Sequence, residues 1–368
     1  MSSAAPATEP HGVSTGRPAP CPVADRNDLD AALDESARRL DASEWSVALS
    51  CAEQAARVAP RSVEAHHDRA DAFAGLERWD EAKQAFALAL ALDPDDPHTL
   101  TSAADFYVNR LPPSREQTEI GLEYARRGSA HVGLRREDRA LGARLALLEA
   151  QALDDLGRAD EALPRAEAAL GLDPTSREAR YERALVLFQL CRFDRARAAF
   201  QEVLTQNPGD AFAHHHLGLL FERQGRDAEA ESHFARARDL APDQFPQPVM
   251  LPPAEFTQIV EDVIAKLDPA TRRMVTSQVK IELVDLPATA DLTSVEPPFP
   301  PTILGLYRGA PIGDASSEPR AILVYRKNLA RAVTTRDELV EQVRVTILHE
   351  IGHFFGADED DLRERGLE

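Results

Sequence analysis

Near its C-terminus the chain reads His349-Glu350-Ile351-Gly352-His353, followed by Phe354-Phe355-Gly356-Ala357-Asp358-Glu359. Residues four apart share one face of a helix, so the imidazoles of His349 and His353 can converge on a single metal ion. Glu350 lies one step round the helix, where a carboxylate can hold and deprotonate a water on that ion. Gly356 suits the end of the helix, because glycine accepts positive φ at little cost. A turn there brings Glu359 back toward the same ion as a third ligand, with Asp360 and Asp358 as alternatives in the same acidic run. Two nitrogens and one oxygen, with a position left for water, suit Zn2+. The chemistry implied is hydrolysis by metal-activated water, with Glu350 as the catalytic group.

Such residues need a rigid helix beneath them. Thr335-Arg336-Asp337-Glu338 has the form of a capping box, with Thr335 as N-cap. After it, Leu339, Val340, Val343, Ile347, Leu348 and Ile351 form an apolar stripe at helical spacing, predicting a helix over Arg336–Phe354. Upstream, Phe256, Ile259, Val260, Val263, Ile264 and Leu267 predict another helix, closed by Asp268-Pro269. Val279, Ile281 and Leu283 alternate with polar residues, as a half-buried strand requires. Ile303–Tyr307 and Ala321–Tyr325 read as two further strands, the first preceded by a proline-rich loop from Pro287 to Pro301. Residues 254–368 are therefore expected to form a small α+β domain, one mixed sheet packed on two helices.

The Leu304-Gly305-Leu306-Tyr307-Arg308-Gly309 run, the Ile322-Leu323-Val324-Tyr325 run and the His-Glu-Ile-Gly-His-Phe-Phe-Gly core ending in Asp361-Leu362 resemble the bacterial minimal zincins, small domains labelled possible metallopeptidases. The resemblance implies a carboxylate ten residues after the first histidine as third ligand, usually aspartate; here that position is Glu359. The third histidine and the Met-turn of the larger metzincins are absent from the sequence, so broad metzincin-like proteolysis is not implied. In zincins generally a sheet edge beside the metal aligns an extended substrate, and Leu304–Arg308 is the stretch expected in that role.

The 368 residues, 43% apolar and 28% charged, leave room for two or three domains. No apolar run approaches the length of a membrane span, and the N-terminus lacks the basic start and apolar core of a secretory signal. A formal charge of −20 argues against nucleic acid or an anionic membrane as partner, since phosphate contact needs a basic footprint. Cys21, Cys51 and Cys191 are odd in number and far apart, which suggests neither a disulfide framework nor a cysteine metal site. That pattern fits a reducing cytoplasm.

Between the two ends the chain repeats. Prolines recur at Pro60, Pro94, Pro174, Pro208 and Pro242. Aligned on them, small residues recur at Ser36, Ala70, Ala150, Ala184 and Gly218, and again at Ala48, Ala82, Ala162, Ala196 and Ala230. A third position holds Ala52, Phe86, Ala166, Phe200 and Phe234. This is the pattern of the tetratricopeptide repeat, in which paired antiparallel helices cross closely at small residues. An irregular unit spans about Pro97 to Gly142, with Leu111-Pro112-Pro113-Ser114 as its insertion. The resemblance implies an α-solenoid of about six helix pairs over residues 28–243, whose groove holds a protein or peptide partner. His214-His215-His216 looks like a metal tract, but adjacent residues on a helix point about 100° apart and cannot chelate together. His66-His67 and the arginines Arg192, Arg195 and Arg197 read as structural or surface groups. Residues 1–27, rich in Ala, Pro, Ser and Thr, are expected to be disordered, and the prolines of residues 244–253 mark a linker.

The fold expected is thus mostly α, a tetratricopeptide solenoid followed by a small α+β zincin-like domain. The function expected is a zinc-dependent metallopeptidase that presents a solenoid-bound partner to the metal. The alternative is a non-catalytic adaptor whose metal site is structural or inactive.

Overall fold

The computed structural model describes residues 19–133, 135, 138–314 and 319–367, so most of the expected disordered tail lies outside the described residues. The chain divides into two compact units, Met1–Val186 and Leu187–Glu368.

The first unit is built from helix pairs: α1 (Leu29–Asp41) with α2 (Trp45–Val58), α3 (Val63–Gly75) with α4 (Trp79–Leu92), α5 (Pro97–Asp105) with α6 (Arg115–His131), α7 (Arg139–Asp155) with α8 (Ala159–Leu172), and the start of α9 (Arg177–Gln189). Three of the first helices, α1, α3 and α5, begin on side-chain caps. Asp28, Ser62 and Asp96 accept from the backbone N–H groups of Ala31, Ala65 and Thr99, satisfying donors the helix itself leaves open. Ala48, Ala70, Ala82, Ala150 and Ala162 are wholly buried, as the close crossings demand. The first helices α1, α3, α5 and α7 also contact one another in succession, so they line one face of the unit. The irregular repeat carries more than the expected insertion: α5 runs into a π-helical turn at Phe106–Arg110, and α6 extends to 17 residues. Phe106 packs on Trp79 and Phe86 with ring centroids 6.1 and 5.4 Å away.

Two expectations are corrected here. Residues 19–27 lie against α2, with Ser50 Oγ donating to the Ala19 carbonyl (2.7 Å) and Gln54 Nε2 to that of Asp25 (3.2 Å). That fold-back brings Cys21 and Cys51 to a Cα separation of 4.8 Å, and the two form a disulfide. Separation along the chain said nothing about separation in space. Only Cys191 is a free thiol.

The second unit contains the end of α9, then α10 (Phe193–Gln206), α11 (Ala211–Arg223) and α12 (Asp227–Leu240). Gly218 permits the α11–α12 crossing, since a Cβ there would lie 2.6 Å from the Phe234 ring. The histidine run is structural, as expected: His214 meets His233, His215 stacks on Phe245 and His216 stacks on Phe200. Then follow α13 (Pro253–Ala265), α14 (Pro269–Gln278), β1 (Lys280–Val284), α15 (Thr289–Leu292), β2 (Gly305–Arg308), β3 (Ala321–Tyr325), α16 (Arg326–Arg331), α17 (Arg336–Phe354) and α18 (Glu359–Glu364). The sheet is mixed in the order β1-β3-β2, with β1 parallel and β2 antiparallel to β3. Ile322 and Val324 of β3 join Phe256, Val260 and Val263 of α13 and Leu339, Val343, Ile347 and Ile351 of α17 in one core.

The helix count exceeds the expected two. Asp268-Pro269 opens a helix rather than merely closing one: Asp268 caps α14 and Pro269 takes its first position, where a missing N–H costs nothing. The last helix pair is joined to this domain through charge. Glu222 of α11 meets Lys327 and Arg331 of α16 at 3.1 and 2.6 Å, and the Arg331 guanidinium lies 4.7 Å from the centre of the Phe234 ring. Residues 244–252 lie against the same core through Val249 and Leu251. Among the described residues no helix is long and apolar enough to cross a membrane.

Candidate metal centre

The helix that carries the motif spans Arg336–Phe354, as its capping box and apolar period predicted. Thr335 Oγ1 accepts from the Glu338 N–H, while Glu338 accepts in return from the Thr335 N–H. Its buried stripe seats it on the sheet, which leaves His349 and His353 half-buried in its last two turns.

Each imidazole is fixed by a backbone carbonyl. His349 Nδ1 donates to Leu367 (2.6 Å) and His353 Nδ1 to Ala357 (3.1 Å). A carbonyl only accepts, so both Nδ1 atoms carry a proton, which turns both Nε2 atoms toward one another. Those Nε2 atoms stand 3.0 Å apart. Gly356, at φ 86°, reverses the chain, and Asp358 caps α18, whose first residue is Glu359. The Glu359 carboxylate reaches to 3.3 Å from His353 Nε2 and 3.7 Å from His349 Nε2. Leu362 anchors α18 by packing where Gly352 has no side chain.

The three ligand atoms lie within 4.8 Å of one another. A cation at their centre would draw a lone pair from each imidazole and meet the charge of the carboxylate. Two nitrogens bound to one tetrahedral zinc stand about 3.3 Å apart, close to the spacing here. The residues fit the ion. The alternatives Asp358 and Asp360 are occupied elsewhere, Asp358 as the α18 cap and Asp360 in an exposed pair with Arg363 (2.7 Å).

Glu350 is only 6% exposed. It lies against β2, accepting from the Tyr307 backbone N–H, and a Cβ on Gly305 would come within 2.8 Å of its Oε1. Burial, and after it the charge of Glu359, pushes its carboxyl up to about 8, against the pull of the Tyr307 N–H. The cleft at the site has a volume of about 410 Å³. Its walls are Phe299, Ile303, Leu306, Tyr307 and Pro311, with His349, Glu350, His353 and Glu359 at the site itself. In the sequence Gly305 and Leu362 stood only within longer runs, without these contacts, and nothing there pointed to the carbonyls of Ala357 and Leu367. Backbone groups leave no mark on residue type, though a glycine inside an otherwise apolar strand was a signal of close approach at 305.

Comparison with known proteins agrees with this geometry. Residues 276–367 match the family described as zincin-like metallopeptidase. Residues 33–97, 147–211 and 191–245 match the tetratricopeptide repeat. No curated protein matches the chain. Among solved structures, one titled as the functional characterisation of Pseudomonas aeruginosa pilF is 19% identical, covering 59% of this chain and 94% of its own, at a TM-score of 0.50. The type IV pilus biogenesis factor PilW is 16% identical, covering 57% of this chain and 92% of its own, at a TM-score of 0.51. At such identity these likenesses speak for the fold alone. The chain carries tetratricopeptide repeats followed by a zincin-like domain.

Proposed function

We propose that the chain is a zinc-dependent peptidase whose repeats hold a protein or peptide partner. The observation that carries this reading is the convergence of two carbonyl-oriented imidazoles and Glu359 beside a buried, otherwise unneeded carboxylate at Glu350. A structural metal site has no use for that fourth group. His349, His353 and Glu359 hold the ion, and the Leu367 and Ala357 carbonyls keep both rings in the binding tautomer. Zinc bound there supplies a Lewis acid that polarises a carbonyl and acidifies water.

Glu350 accepts the proton of the attacking water and returns it to the departing amine. Its burial keeps it out of bulk water beside the cleft. The substrate backbone lies beside Gly305, Leu306 and Tyr307, the cleft-lining residues of β2, whose other edge pairs with β3.

The test is Glu350→Gln in the zinc-loaded protein, assayed against a mixed peptide library. The proposal expects zinc to stay bound and all cleavage seen with the unaltered protein to vanish. Equal cleavage by both proteins, or none by the unaltered protein with zinc in place, contradicts it and leaves the adaptor reading.

A further inference from the structure

The cleft beside the candidate metal centre has walls whose chemistry hydrolysis alone does not require. Its larger lining side chains are Phe299, Ile303, Leu306, Tyr307 and Pro311. Four of these are hydrocarbon throughout. The hydroxyl of the fifth, Tyr307, already donates to the Ala310 carbonyl (2.6 Å), so that residue offers the cleft chiefly its ring. The rest of the lining is glycine, alanine and the four groups already assigned to the reaction, His349, Glu350, His353 and Glu359. No other charged side chain lines the cleft. The fold also holds these walls in place. Asn328 of α16, 6% exposed, donates through Nδ2 to the carbonyls of Pro301 (3.1 Å) and Ile303 (2.8 Å). Around Pro311, the Ile312 N–H donates to the Phe354 carbonyl (2.7 Å), and Arg320 donates to the carbonyls of Ala310 (2.8 Å) and Pro311 (3.1 Å).

We infer that the cleft selects substrates with an uncharged aliphatic or aromatic side chain next to the bond being cut, and that Phe299, Ile303 and Leu306 make the selection. An apolar side chain entering between these walls leaves water and gives up no hydrogen bond. A carboxylate or an ammonium group loses its hydration there and meets no free partner, since the lining acids and imidazoles serve the ion and its water. A recess framed before the ligand arrives needs little ordering to bind it. Its volume of about 410 Å³ lies within the about 300–1,000 Å³ of small-ligand sites, enough for a side chain together with the peptide bond beside it. This inference rests on the reading of the site as a zinc peptidase, and adds which substrates it takes.

The experiment is a binding measurement, isothermal titration calorimetry of the zinc-loaded full chain with small hydroxamates. These grip a zinc ion through two oxygens and trail a side chain into the space beside it. Acetohydroxamate, which has almost no side chain, sets the baseline. The hydroxamates of isocaproic acid, γ-aminobutyric acid and glutaric acid then present a branched alkyl group, an ammonium and a carboxylate on stems of similar length. The inference expects the isocaproic probe to bind at least about tenfold more tightly than acetohydroxamate, and the two charged probes to gain nothing over it. The double variant Phe299→Ala, Ile303→Ala, with its zinc content checked, should lose most of the isocaproic advantage. Equal affinity for the three longer probes, or tighter binding of a charged one, overturns the inference while leaving the zinc site standing. An isocaproic advantage kept whole in the zinc-loaded double variant overturns it as well. Binding of no hydroxamate, acetohydroxamate included, removes the zinc reading and the inference with it.

Discussion

Leu362 fills the space that a side chain at Gly352 would need: a Cβ there would lie 2.3 Å from Leu362 Cδ2. This contact clamps α18 against the motif helix, and α18 begins with Glu359, the proposed third ligand. The fourth residue of the motif, Gly352, thus positions the proposed third ligand without lying at the site itself.

Gly352→Ala should therefore act at a distance. Alanine favours a helix more than glycine does, so α17 itself should survive. Leu362 must move, and Glu359 with it. Zinc affinity, measured by competition with a chelator, should fall by about 10- to 100-fold with helical content unchanged. Unaltered affinity would mean that α18 adjusts freely.

Glu222 predicts the strength of the joint between α11 and α16. Its side chain is 8% exposed and answers two cations, Lys327 and Arg331, themselves 18% and 14% exposed. Glu222→Ala leaves Arg331 without its carboxylate and Lys327 with only the more distant Asp227, at 3.8 Å. The second unit should lose about 3 kcal/mol in denaturant unfolding. Replacing all three residues with apolar ones of similar size should restore much of that loss.

Asp68 predicts a pH dependence. Burial pushes its carboxyl from the ordinary aspartate range up to about 6, against a hydrogen bond from Ser36. Its Oδ2 is buried without a partner. The sign follows from the raised value: between about pH 4 and pH 6 the folded chain holds a proton that the unfolded chain releases. Stability should therefore fall as pH rises through that window, by on the order of 3 kcal/mol from this group. Asp68→Asn should flatten the fall, raising the melting temperature at pH 7 and changing it little at pH 4. Equal gains at both values would remove Asp68 as the cause.

The disulfide predicts a thiol count. Alkylation of the denatured, unreduced protein should label Cys191 alone, and labelling after reduction should reach all three cysteines. Three labels without reduction would show Cys21 and Cys51 apart. Disulfides persist in oxidising surroundings, so the count in protein taken straight from cells also tests the cytoplasmic expectation.

What the sequence revealed about the site follows from where the information lies. Both limits of α17 were readable, because a capping box and a 3.6-residue apolar period write a helix into residue types. Glu359 was readable through Gly356, a residue chosen for its φ. The paired alanines and prolines revealed the repeats for the same reason, since close crossings exclude larger side chains. The carbonyls that orient the imidazoles were hidden, because any residue can supply one. The N–H of Tyr307 was hidden likewise. α16 and α18 run six residues each, too short to show a period. Asp268-Pro269 favours both the end of one helix and the start of another, and here it serves the second. The Cys21–Cys51 link depends on how residues 19–27 fold back, which no local pattern encodes.

The central claim is a zinc site made by His349, His353 and Glu359, and its most direct measurement is metal content. Elemental analysis of the purified chain, of His349→Ala and of Glu359→Ala, each loaded with zinc and desalted, should find about one zinc per unaltered chain. It should find almost none in His349→Ala and a clear loss in Glu359→Ala. No zinc in the unaltered chain after loading, or full zinc in His349→Ala, would contradict the account.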